Sequence, residues 1–560
     1  MSKAKSRPKS AAEPLPAKPV AAAGESSLER LLQTRSRLIA IVLIAIAAVR
    51  IVATYPELSA TWDEPGHMAC GMQYLADHVY RYESQHPPVA RVASALLPFL
   101  SGARPLHGPQ QDLEGVAIMY QGGNPGRILT LMRIGILPFF LLASWMVYLW
   151  ARKYFGAATG VLAAGLFTLV PTVLAHAGLA TTDMPLTACL SAAFFAMLLW
   201  VEEPTWKHSV LFGFATGLAV TTKFTALGYF PAATIFALVA YLAVQRPSAA
   251  DLISAAKARL LPLGAAVLTG AVVIWAVYSF SFGKVPGWNV SLPAPELFDG
   301  VRFALTHNSR GHAAYLLGEI RNVGWWYFFP VVLAVKAPLG WIALVLIGIG
   351  VCLARRTRLE YWLPVAFSLG IMIPAMTSHV NIGLRHILPV FTSLSILAAI
   401  GLMLLIERAR AAKWTALVAV ALVGWVAVSG LSAHPDYIGY FNAIAGDHPE
   451  RIVLDSDLDW GQNTIRLARR LRELGATQVA FSEFSFTPQQ LMQWPGLPPV
   501  RPVNPLVPAE GWNVISPTRW MLRRYGISDE RQPWFPYFRP VEKVGSLWLY
   551  YIPPGSVRRP

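Results

Sequence analysis

Charge is what this sequence has least of for its length. Asp, Glu, Lys and Arg together supply 14% of 560 residues, and 54% are hydrophobic, whereas soluble domains carry roughly a quarter charged residues. A soluble globular chain and a disordered one are both excluded. Acidic residues are scarcer still, 31 against 47 basic ones, giving a net charge of +16. That excess forms no single basic stripe. It falls in short clusters between apolar runs, which fits the positive-inside pattern of a polytopic membrane protein and not a nucleic-acid partner. Cysteine is nearly missing. Cys70, Cys189 and Cys352 stand far apart, the last two in apolar runs, so there is neither metal-type spacing nor a disulfide framework. No internal repeat is evident.

What the chain does have is apolar stretches near the length of a bilayer crossing. They lie at 37–54, 131–151, 157–176, 183–201, 208–222, 226–245, 259–281, 337–354, 361–377, 386–406 and 413–431, and predict about eleven spans. The segment 87–101 is too short to cross and reads as a re-entrant or interfacial helix. Residues 1–36, rich in Lys, Ala, Pro and Ser, read as a disordered basic cytoplasmic tail and not as a signal peptide. With the N-terminus inside, alternate loops carry Arg152 and Lys153, Lys207, Arg246 with Lys257 and Arg259, Arg355, Arg356 and Arg358, and Arg408 with Arg410 and Lys413. The suggestive polar motifs then share the outer side, in a membrane domain 37–433 with outer loops 55–130 and 282–336. The expected location is the inner cell membrane, with the site and tail periplasmic. Residues 434–560 change character. A strand at 451–455, a helix at 465–474, a strand at 478–481 and a closing strand at 546–552 predict a small soluble α/β domain.

Acids in hydrocarbon are expensive, so Asp63 and Glu64 after the first span and Asp183 before the fourth are site candidates. Helix capping is the plain alternative for each. Two acids on one face allow a general base and a partner that orients the acceptor or a metal. Lys223, Lys336 and Arg385 stand at outer span ends, where they either snorkel or bind a phosphate. His67, His86 and His386 are further candidates, as are Asp459 and Gln462 in a turn of the tail. His307, Asn308, Arg310 and His312 sit in an outer loop too long to be a mere connection. The run Trp325 to Phe329 reads as an interfacial aromatic belt.

Taken in order, these pieces are familiar. Trp62-Asp63-Glu64 with His67, His86-Pro87-Pro88, Leu179 through Asp183 to Pro185, Thr222-Lys223-Phe224, Lys336 through Gly340, Asn381 through Arg385-His386 to Pro389, His434 through Asn442, and Leu458-Asp459-Trp460-Gly461-Gln462 span nearly the whole chain. The chain resembles the GT-C membrane glycosyltransferases of the dolichyl-phosphate-mannose-protein mannosyltransferase type, which include bacterial aminoarabinose transferases. The resemblance implies a GT-C-like bundle and inverting transfer of a hexosyl or pentosyl group. The donor would be a polyprenyl-phosphate-linked sugar and the acceptor a hydroxyl of a protein, lipid or glycan, among membrane lipids and without nucleic acid. It also implies Asp63 as general base, Asp183 as a positioning acid, and Arg385, Lys223 and Lys336 as phosphate ligands. The aminoarabinose-transfer members have an acid and a lysine before the paired prolines; this chain has Gln85 and His86, with Glu83 two residues earlier. A divalent metal is therefore left open, with one imidazole as poor support for it. The rival reading is a transporter or flippase. Carriers place coupling groups on broken helices at the bilayer midplane within repeated halves, whereas the acids here stand at external helix ends.

Overall fold

The computed structural model describes residues 33–80, 82–482, 496–522 and 533–556. Most of the basic tail, residues 1–32, lies outside the described residues. Among the described residues, seven helices are long and apolar enough to cross a membrane, and nine elements qualify when two bent helix pairs each count as one. The chain is therefore an integral membrane protein. Two further apolar helices, Ser36–Val52 and Trp206–Thr222, have 17 residues each, so every apolar stretch marked in the sequence coincides with a helix or a bent pair.

Proline sets the bends. Ala157–Phe167 and Pro171–Ala177 meet at 70°, and Phe328–Lys336 and Leu339–Ala354 at 118°. Each break falls where Pro171 or Pro338 removes a backbone donor and forbids the helical conformation of the residue before it. The first bend delivers residues 178–182 to the start of helix Asp183–Glu202, and the second leaves Lys336 at an elbow. The short segment of the sequence forms helix Pro88–Leu100, which joins the core around Met68, Met72, Ala95, Met132 and Ile136. The expected aromatic belt is corrected. Trp325, Phe328 and Phe329 are buried and only Trp326 of the two tryptophans is exposed, because the Trp325 N–H is drawn in by Asn381 Oδ1 at 2.7 Å.

The tail carries a five-stranded sheet in the order Val500–Arg501, Val479–Phe481, Gly511–Ile515, Leu547–Ile552, Glu542–Val544. The first two pairings are parallel and the last two antiparallel. Helix Thr464–Glu473 buries Leu467, Ala468 and Leu471 against Val479, Phe481, Val514 and Leu549. Residues 451–455 form no strand. A one-turn helix begins at Pro449, and Asp455 adopts the left-handed conformation with φ of 59°, so the alternation seen in the sequence becomes two tight turns.

One buried ion pair ties the segments at 58–64 and 180 to helix Pro125–Phe155. Arg133 and Glu64 are both fully buried. Glu64 accepts from Arg133 Nε at 2.8 Å and Nη2 at 2.9 Å, from the Thr61 N–H at 2.8 Å, and from the Ala180 N–H at 2.8 Å. Arg133 also donates to the Leu58 and Ser59 carbonyls at 2.9 and 2.7 Å. Such a pair is tolerated in a dry interior only because nearly every lone pair and proton has a partner. Its loss exposes the cost: Arg133→Leu should destabilise the protein by about 3–5 kcal/mol by leaving Glu64 charged and alone, and Glu64→Gln/Arg133→Leu by less. Thermal unfolding of the detergent-purified variants measures the order.

Candidate active site

Three remote segments meet at one end of the bundle. Asp63 sits immediately before helix Glu64–Asp77, Asp183 begins helix Asp183–Glu202, and Arg385 lies in the one-turn helix Leu384–Ile387. Arg385 Nη1 donates to Asp63 Oδ2 at 2.6 Å and stands 3.9 Å from Asp183 Oδ2, while Lys223 Nζ donates to Asp183 Oδ1 at 2.5 Å. The result is an alternating chain of charge, Asp63, Arg385, Asp183, Lys223. Desolvation alone would lift the Asp63 carboxyl, but the Arg385 guanidinium holds it below the ordinary carboxylate value. It is thus an acceptor at neutral pH.

A second cluster borders the first. Arg91 donates from Nε to His67 Nδ1 at 3.1 Å, from Nη1 to the Tyr80 hydroxyl at 2.9 Å, and pairs with Glu83, whose carboxylate also meets His86 Nδ1 at 3.3 Å. Burial keeps the imidazoles of His67 and His86 below their ordinary value, reinforced by Arg91 at His67 and opposed by Glu83 at His86. Both rings are therefore neutral. Glu83 and His86 form a pair with an arginine, and among the described residues no three His, Cys, Asp or Glu side chains converge as metal ligands.

Beside Lys223 opens a cavity of about 500 Å³, lined at its polar end by His86, Lys223 and His386 and further out by Leu227, Tyr229 and Leu305. His307 and Asn308 stand on its wall, where Asn308 Oδ1 accepts from Ser378 Oγ at 2.8 Å. Among the described residues, the buried atoms Asp183 Oδ2, Arg385 Nε and His386 Nε2 have no hydrogen-bond partner. Burial, together with the charges of Lys223 and Arg385, keeps the His386 ring neutral. Orphaned polar atoms are rare in folded interiors; His386 lines the cavity beside Lys223, and Asp183 and Arg385 adjoin it through the Lys223–Asp183 and Arg385–Asp183 contacts.

The tail closes the site from above. Trp460 lies flat against Arg385, with its ring centre 4.2 Å from the guanidinium carbon. Asp457 accepts the Leu384 N–H through both oxygens at 3.1 and 3.2 Å, and Ser456 Oγ donates to the Ile382 carbonyl at 2.5 Å. The Ser59 and Trp62 N–H groups donate to the Gln462 and Trp460 carbonyls at 2.9 and 3.1 Å. Asp63 and Arg385 are therefore both held by the segment 456–462.

Three expected roles are corrected by these contacts. Glu64, expected to be catalytic, is consumed by the Arg133 pair. Lys336, expected at a phosphate, donates to the Ile438 and Asp457 carbonyls at 2.5 and 2.6 Å and lies 4.1 Å from the Phe441 ring centre, so it fastens the tail to the bundle. Asp459 and Gln462 face inward too. Asp459 accepts from Ser516 and, at 3.1 Å, from Ser546, and Gln462 accepts the Trp460 N–H at 2.8 Å. Sequence reasoning missed Arg133, Arg91 and Trp460 as functional neighbours. The first two carried a usable signal, a lone arginine within an apolar segment. Trp460 carried none, because nothing local indicates which cation it will cover.

Burial pushes the Asp459 carboxyl up from 3.8 to about 6. The folded protein then keeps a proton that the unfolded chain has released, so this group's contribution to stability falls as pH rises from about 4 to about 6. Wild type should lose melting temperature relative to Asp459→Asn between about pH 4.5 and about pH 6.5, and the difference should be flat above that; parallel thermal melts of the two proteins check it.

Residues 129–275 match a family model described as dolichyl-phosphate-mannose-protein mannosyltransferase. A search of curated protein sequences finds no match. Among solved structures, the chain is similar to ArnT from Cupriavidus metallidurans bound to undecaprenyl phosphate, with a TM-score of 0.50 and 15% identity over 91% of this chain and 97% of that one. It is also similar, at a TM-score of 0.45 and 12% identity over 71% of this chain and 56% of the other, to the archaeal oligosaccharyltransferase AglB from Archaeoglobus fulgidus in complex with an inhibitory peptide and a dolichol-phosphate. The ArnT likeness is one of fold. The family match covers helices on both sides of Asp183 and Lys223.

Proposed function

We propose that this membrane glycosyltransferase of the GT-C type moves a sugar from a polyprenyl-phosphate carrier to a hydroxyl acceptor, with Asp63 as the base and the Lys223 end of the 500 Å³ cavity as the seat of the donor phosphate. The observation that carries this reading is the alternating row Asp63, Arg385, Asp183, Lys223, bordered by unpartnered Arg385 Nε and His386 Nε2. Fixed donors aimed at one spot suit a group whose negative charge grows as it leaves. The apolar outer wall of the cavity suits the polyprenyl chain. The fold shared with ArnT, whose structure holds undecaprenyl phosphate, supports a carrier of that kind.

In the transfer, the acceptor oxygen forms a bond to the anomeric carbon from the face opposite the phosphate. The bond from that carbon to the phosphate oxygen breaks with its electron pair, and the anomeric configuration inverts. The acceptor proton passes to Asp63. Because Asp63 is the carboxylate that Arg385 pairs with, protonation of Asp63 frees the Arg385 charge at the moment the phosphate gains its own. Proton uptake and leaving-group stabilisation are thereby coupled through one guanidinium. Asp183 stays ionised between Lys223 and Arg385 and holds both cations in place. His86 and His386, as neutral rings, offer hydrogen bonds without adding charge.

The charge asymmetry of the loops supports an orientation with the arginine clusters in the cytoplasm and the site and tail outside. The three native cysteines are buried, so Gly555→Cys should be labelled by a membrane-impermeant maleimide in intact cells; protection until lysis reverses the orientation.

Incubation of the purified protein with labelled polyprenyl-phosphate sugars and a panel of acceptors tests the reaction itself. Asp63→Asn should lower transfer by about 10²–10⁴-fold, as loss of a general base does, while donor binding is retained. Unchanged transfer by this variant removes Asp63 from the chemistry.

A further inference from the structure

The helices Ala226–Gln245 and Trp362–Met376 pack against each other with Gly370 at the closest approach: a Cβ at Gly370 would lie 2.2 Å from the Ala233 Cα. Both residues sit near the middle of their helices, so the pair diverges toward each end. At the outer end the divergence contributes Leu227, Tyr229, Pro374 and Ala375 to the cavity already described. At the opposite end it opens a second, larger cavity of about 650 Å³, walled by Phe236, Val239, Trp362, Val365 and Leu369, with Arg246 and Arg356 beside it.

We infer that this second cavity binds an anionic phospholipid, with its acyl chain between the two helices and its phosphate held by Arg246 and Arg356. The walls are hydrocarbon and the mouth is doubly cationic. Among the described residues, neither Arg246 nor Arg356 has a carboxylate partner. The neighbouring arginines are already engaged, Arg358 with Glu360 at 2.5 Å and Arg355 over the Tyr361 ring at 5.7 Å. Trp362 donates its indole N–H to the Arg356 carbonyl at 3.1 Å, which fixes an amphipathic ring where headgroup meets hydrocarbon.

The backbone of Arg246 adds an independent argument. It closes helix Ala226–Gln245 in the left-handed conformation, with φ of 47° and its N–H on the Leu242 carbonyl at 3.2 Å. Glycine takes that conformation without penalty and an L side chain does not. An arginine here bears a conformational cost for a cation that pairs with no carboxylate among the described residues. A lipid phosphate meets both guanidiniums in the forked geometry they favour, and basic pockets between membrane helices on the cytoplasmic side are where anionic headgroups bind. A choline headgroup would set its own cation against the same arginines.

Native mass spectrometry of the full chain in detergent, with added phosphatidylglycerol or phosphatidylcholine, tests the inference without reference to transfer activity. The wild type should retain phosphatidylglycerol on the order of tenfold better than phosphatidylcholine, and Arg246→Gly/Arg356→Gln should lose that preference. Arg246→Gly alone should keep or raise the melting temperature in lipid-free micelles, since glycine suits the backbone there, while it weakens lipid retention. Inorganic phosphate at the same concentration should not compete. Equal retention of both lipids, an undiminished preference in the double variant, displacement by inorganic phosphate, or occupation of the groove by a second copy of the chain overturns the proposal.

Discussion

The end of the bundle that carries Asp63 and Asp183 depends on one buried carboxylate, Glu64. Glu64 takes hydrogen bonds from Arg133, from Thr61 in its own loop and from Ala180 in the loop ahead of Asp183. It thereby sets the spacing between the two acids that face the site. A side chain in bulk water could not do this, because exposed ion pairs hold geometry weakly. In the dry interior the same pair is costly to form and costlier to break, so the loops 58–64 and 178–183 have essentially one arrangement.

On that frame the charges alternate, and the alternation explains why both acids remain ionised among buried neighbours. Arg385 is shared between Asp63 and Asp183, and the tail decides where Arg385 sits. Asp457 grips the backbone one residue before it, Trp460 covers its face, and Lys336 fastens the 457 turn to the bundle. The tail is therefore a structural part of the candidate site, and its sheet anchors a loop that acts some distance from it.

The contact at Gly370 accounts for the membrane-facing side in the same economical way. The missing side chain of Gly370 lets two helices approach closely near their middles, and a cavity opens at each end of the pair. One adjoins Lys223 and the other adjoins Arg246 and Arg356. Both combine apolar walls with basic side chains.

Local pattern was enough for much of this protein. Apolar runs located the membrane helices, and acids at helix starts marked Asp63 and Asp183, since each depends on burial cost along a short stretch of chain. The roles of adjacent residues were not legible there. Asp63 and Glu64 are chemically alike and neighbours, yet successive positions entering a helix point in different directions, so one reaches Arg385 across 322 positions and the other reaches Arg133. Lys223 and Lys336 looked equivalent until one met a carboxylate and the other two carbonyls. Composition and periodicity set which groups lie at the outer face, but which partner each charge finds is a long-range contact, and only the packed tertiary structure decides it.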